Sequence, residues 1–213
     1  MKRILTLLFL LILLCAVGIW SWMAKPWEGW FMDDQQETSV KIDRYDRVLD
    51  EYVSLGSYTA LHVMNTRYPV ETKLLIEDVL ELGLVDEPDV EKRLRYLYLD
   101  STVQVLLDEV HRQYSDLSDL EADFYHVFQE IKKKDPSFRT PHIYAQISCL
   151  KQSIVVSDTL IGISLDKYLG ADFPLYRTYY SDEQRAQMNR SAIVSDAIGA
   201  YLSMKNDPLL NSR

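Results

Sequence analysis

Cysteine is almost absent from this chain of 213 residues: only Cys15 and Cys149 occur. Cys15 lies in an apolar run near the start, so the remainder cannot close a disulfide of its own, and a cysteine-stapled fold is excluded. Histidine is nearly as scarce, with His62, His111, His126 and His142 scattered along the chain. No HExxH, G-x-S-x-G, P-loop or G-x-G-x-x-G motif occurs. The usual signatures of zinc peptidases, serine hydrolases and phosphate-cradling loops are therefore missing. Positive charge is also in deficit. Setting aside Lys2 and Arg3, 21 basic side chains face 32 acidic ones, a net charge of −11. Phosphates would be repelled, which argues against nucleic acid as a partner.

What the chain does have is a distinctive start. Met1-Lys2-Arg3 precedes twenty uncharged residues, 4–23, and all four tryptophans fall between Trp20 and Trp30, at and beyond the end of that run. About 20 apolar residues in helix span a bilayer core, and tryptophan collects where that core meets water. Lys2 and Arg3 belong on the cytoplasmic side, with the acidic flank Glu28, Asp33, Asp34 and Glu37 outside. Residues 1–31 are thus expected to be a signal or membrane anchor, 32–40 a linker, and 41–213 a domain outside the cytoplasm. Three fates stay open for the segment: retention as an anchor, lipidation at Cys15, or cleavage near Ala16-Val17-Gly18. Ile12-Leu13-Leu14 is a poor context for a lipoprotein cysteine, so Cys15 is read first as a small apolar residue of a membrane helix.

Helical periodicity begins at residue 41, with Ile42, Tyr45, Leu49, Tyr52 and Val53 on one stripe closed by Gly56. Further helices are predicted over 59–68, stopped by Pro69, and over 70–82, closed by Gly83. A helical stretch over 88–114 is divided near Asp100-Ser101. Over 119–134, Ser118 and Glu121 form the pattern of a capping box. Residues 143–149 alternate as a strand, and 154–156 with 160–165 read as a hairpin. Helix returns after Ser181, capped with Gln184, and again around Val194, Ile198, Tyr201 and Leu202. The plan is α+β: a mainly helical domain with a small antiparallel sheet. The fourteen tyrosines suit helix seams, and contact surfaces as well.

Chemistry is thin. His126 and Glu130 share a helical face, but such pairs are ordinarily surface neighbours. His142 and Cys149 are seven apart on one expected strand, which sends them to opposite faces. Asp158, Asp166, Asp172 and Asp196 sit where turns and caps recruit aspartate for backbone reasons. Asn189-Arg190-Ser191 matches a glycosylation acceptor. No catalytic residue, metal ligand or cofactor is assigned, and the oligomeric state stays open.

The stretch YSDLSDLEADFYHVFQEIKKKDPSFRTPHIYAQISC, followed by LIGISLDKYLGADFPLY, resembles the central region of GldB-type gliding motility lipoproteins. The most specific residues are Leu165, Asp166, Lys167, Tyr168, Leu169 and Gly170, with Tyr176 downstream and Ile147-Ser148 before them. The likeness covers roughly residues 40–205. It implies a cell-envelope protein of gliding bacteria and their relatives, with the membrane and other envelope proteins as partners, in motility and its secretion machinery. The family is also similar to predicted zinc-dependent peptidases, yet the helix where their HExxH would stand reads VSDAIGAYLSM here. Family members continue past the point where this chain stops, which leaves a shortened relative, a gene fragment or a divergent member as alternatives. Within the motif, Asp166 is expected to cap a short helix and Gly170 to end it in the left-handed region. Tyr168 and Tyr176 are expected to pack around the corner.

Overall fold

The computed structural model describes residues 39–206, and these form the compact unit considered below. The apolar run 4–23, Cys15 and most of the expected linker lie outside the described residues. Among those described, no helix is long and apolar enough to cross a membrane.

The first element corrects the periodicity reading. Ile42 belongs to a short strand, β1 (Ile42–Asp43), and helix starts only at α1 (Tyr45–Leu55). Gly56 ends that helix at φ 67°, a conformation glycine takes without a side-chain clash. The helices α2 (Tyr58–Thr66) and α3 (Pro69–Lys73) follow, Ser57 capping the first through the Ala60 amide at 3.2 Å and Pro69 opening the second. The helix predicted over 70–82 is not uniform: beyond α3 it widens into a π-helical turn, Leu74–Val79. The long stretch then divides at the expected place into α4 (Val90–Tyr98) and α5 (Ser101–Gln113), with the Asp100 side chain capping α5 at Thr102.

In α6 (Ser118–Lys134) the predicted capping box is absent. Ser118 donates to Asp116 instead, at 3.0 Å from its amide and 2.8 Å from its hydroxyl. Glu121 reaches across to β1, accepting from the Ile42 amide at 3.1 Å and from Lys41 Nζ at 2.8 Å. Local spacing offered Glu121 a cap, but its carboxylate serves the strand's N–H and a lysine instead. The capping box expected at Ser181 and Gln184 does form, at the start of the helix Asp182–Gln187.

The sheet comprises β1, β2 (His142–Gln146), β3 (Ile154–Val156) and β4 (Leu160–Ser164) in the order β1-β2-β4-β3. The expected hairpin is present as the antiparallel β3–β4 pair, but β1–β2 and β2–β4 are parallel, so the sheet is mixed. Gly162 on β4 is required by its neighbour: the Tyr144 ring folds over it, and a Cβ there would lie 2.5 Å from the Tyr144 Cζ and hydroxyl. After β4 a 3-10 turn (Leu165–Lys167) leads to α7 (Tyr176–Tyr179), α8 (Asp182–Gln187), a second 3-10 turn (Arg190–Ala192) and α9 (Ile193–Lys205). Nine of the fourteen tyrosines are buried, which supports their reading as seam residues. Tyr45, Tyr98, Tyr114, Tyr144 and Tyr176 are among the largest fully buried side chains.

Candidate functional site

The loop that follows the carboxyl end of β2 borders an open cleft of about 1390 Å³. Parallel strands place their loops at that end, and crevices there commonly receive ligands. Irregular backbone gathers around it. Only Glu81, Cys149 and Leu150 among the described non-glycine residues have positive φ, at 55°, 53° and 66°. Cys149 and Leu150 line the cleft, as does Leu82, the neighbour of Glu81. The π-helical turn leads into the same wall. Strain of this kind, about 1–3 kcal/mol per residue, persists only where the surroundings over-determine it.

The motif read from the sequence supplies that determination. The strand predicted over 143–149 stops at Gln146, because the chain turns left-handed at Cys149 and Leu150. Asp166 is fully buried, and its carboxylate accepts from the Leu150 amide at 2.6 Å and the Ser148 amide at 2.9 Å. The Ser148 hydroxyl stands 3.4 Å from both carboxylate oxygens. Asp166 therefore does not cap the turn that contains it, which has no side-chain cap; it braces the loop after the neighbouring strand. Its chain neighbour Lys167 takes the same loop by the opposite pole, donating from Nζ to the Leu150 carbonyl at 3.2 Å and to the Tyr180 hydroxyl at 2.8 Å. The Tyr180 hydroxyl donates to that carbonyl too, at 2.8 Å, and Tyr98 holds the Ile147 carbonyl at 2.5 Å.

The rest of the motif is buried behind this loop. Tyr176 donates to the Asp166 carbonyl at 2.6 Å and accepts from the Leu169 amide at 2.9 Å; Tyr114 donates to the Tyr168 carbonyl at 2.5 Å. Gly170 has a φ of 103° and donates its N–H to the Met188 carbonyl at 2.9 Å. Leu165 and Leu169 pack in the core. The motif residues are thus brought together, as supports for a cleft wall that Cys149 and Leu150 present.

Electrostatics agree with a structural brace. Burial pushes the Asp166 carboxyl above its ordinary range, and the two backbone N–H groups only partly offset it. Burial likewise pushes the Cys149 thiol up, with the Asp166 charge acting in the same direction, so the sulfur is held as a thiol and not as a nucleophilic thiolate.

The other candidates are dispersed. His142 opens β2 beside Asp43 and Glu71, 3.7 Å from each, while Cys149 lies beyond the strand's other end. Glu130 pairs with Lys133 at 2.6 Å, not with a shared ligand of His126. Asp196, on the helix where the peptidase motif was sought, accepts from Tyr168 at 2.9 Å. Asp158 faces Lys205 at 3.4 Å and Asp172 faces Arg177 at 3.8 Å. Among the described residues no three His, Cys, Asp or Glu side chains are grouped to hold a metal. Sequence reasoning named Lys167 without reading its role, and missed Tyr98 and Tyr180. Lys167 at least stood inside the motif, whereas the tyrosines act across long sequence separations and carry no local signal.

A family model described as gliding motility protein GldB matches residues 32–212, a span that includes the cleft, its brace and every described element. The chain belongs to the GldB gliding motility family. No curated protein and no solved structure matches it. In this GldB-family chain the resemblance read from residues 165–170 and 176 extends over the whole described fold.

Proposed function

We infer that the chain is a membrane-tethered cell-envelope protein that acts by protein contact in gliding or secretion machinery, with the cleft as its contact face. The match to the GldB family over residues 32–212 carries this reading, and the family's lipoprotein character fits a tether through the N-terminal segment. The cleft supports contact over catalysis because the polar groups behind its wall are already committed: the buried Asp166, Lys167 and Tyr98, with Tyr180 at the cleft itself, all hold backbone groups of one loop. Large exposed side chains stand beside it, Tyr96 at 83% and Tyr179 at 58% exposure.

The test is photo-crosslinking in cells of the source organism. A crosslinker at position 96 or 179 should yield one discrete protein adduct, and the same group at position 58, also highly exposed, should not. Adducts of equal pattern from all three positions would refute the cleft as contact face. Disruption of the gene should impair surface spreading or secretion, and Cys15→Ala should leave the chain in the membrane fraction if the segment is retained as an anchor.

A further inference from the structure

The charges bordering the cleft are balanced. Glu87, Asp89 and Asp100 stand against Lys92, Arg93 and Lys151, in a chain whose net charge is −9. Arg93 is paired with Glu87, and Lys151 Nζ donates to the Leu80 carbonyl at 2.8 Å. The cleft is a neutral window in an acidic molecule, so neither a polyanion nor a run of basic residues meets a complementary field there. Its inner surface is apolar, with Leu82, Leu97, Val103, Leu106 and Leu150. Tyr96 and Tyr179 form an aromatic lip, the residue type that anchors protein contacts.

Size narrows the occupant further. Small-molecule sites occupy about 300–1,000 Å³, and this cleft, at about 1390 Å³, is larger. α4 backs it along one face: Lys92, Arg93, Tyr96 and Leu97 follow one another at helical spacing, with Asp89 and Asp100 just beyond its two ends. Nine helical residues span about 13 Å, the reach of roughly four residues of extended chain.

We propose that the cleft docks a net-neutral, apolar peptide segment of a partner protein, about four residues of it lying along α4. Apolar side chains enter between the leucines, and the tyrosine lip closes over them. Because the attraction is burial and not net charge, binding is insensitive to ionic strength. This identifies the class of partner for the contact reading above and rests on it.

The experiment is selection of a random peptide library on the detergent-solubilised full chain, at low and at high ionic strength. Uncharged apolar sequences should be enriched equally at both. Tyr96→Ser with Tyr179→Ser should weaken them about tenfold or more, and Tyr58→Ser should have no effect. All three tyrosines are exposed, so folding is not at issue. Enrichment of Lys- or Arg-rich peptides that salt removes would overturn the proposal. So would enrichment indifferent to the paired tyrosine substitutions, or no enrichment above a bare-surface control. A discrete cellular crosslink from positions 96 and 179, alongside charged selected peptides, would leave the contact reading standing and sink this one.

Discussion

Replacing Asp166 separates its two possible roles by magnitude. As a helix cap it would contribute about 1 kcal/mol. As the brace observed, it satisfies two backbone N–H groups and a hydroxyl, with Ser148 wholly buried. Leaving a buried donor without a partner costs about 1–3 kcal/mol, so Asp166→Ala orphans donors worth about 2–6 kcal/mol. Part is regained, because the buried carboxylate is itself costly and the Leu150 amide, in a half-buried residue, can turn toward water. A net loss of about 2–4 kcal/mol is expected. Asp166→Asn keeps one acceptor oxygen and removes the charge, so it should cost much less. The pH dependence follows the same logic. The folded carboxyl titrates above its unfolded value, so its destabilising effect is absent below the unfolded pKa and grows as pH rises through the folded one. The asparagine variant should lack that decline, and the gap between the two proteins should close, or reverse in its favour, toward neutral pH. Equilibrium denaturation of the purified protein across pH 3–8 reads all of this. An alanine variant within about 1 kcal/mol of the parent, or an asparagine variant as damaged as the alanine one, would refute the brace.

Three further outcomes are expected. Gly162→Ala forces a methyl against the fully buried Tyr144 ring and should cost about 1–3 kcal/mol by thermal melting. Glu121→Ala should lose about 1–2 kcal/mol and speed hydrogen exchange at the Ile42 amide, whereas Ser118→Ala, which caps nothing beyond its own turn, should stay within about 0.5 kcal/mol; the reverse order would restore the capping box. The Arg190 guanidinium holds the Asp119 carboxyl below its ordinary range, so the stability it brings is complete above the unfolded pKa and fades as pH falls through the lower folded one. Arg190→Lys, which cannot keep the bidentate pair, should therefore flatten the acid limb of the stability curve.

What the sequence determined by itself is its punctuation. Gly56, Pro69, the Asp100-Ser101 break and the Ser181–Gln184 capping box act within three or four residues, so their hydrogen bonds are legible from spacing alone. The β3–β4 hairpin is legible for the same reason, and the LDKYLG motif marked the right region. Tertiary structure decided the partners. Ile42 looked helical but became a strand because β2 lay open beside it, and Glu121, with the spacing of a cap, went to that strand's N–H. Asp166 shows the limit most clearly. A carboxylate at the start of a turn has one local signature whether it caps that turn or crosses to the next strand. Here the left-handed loop at Cys149 and Leu150 brought two buried amides within its reach, and a buried donor left unpaired costs more than a cap returns.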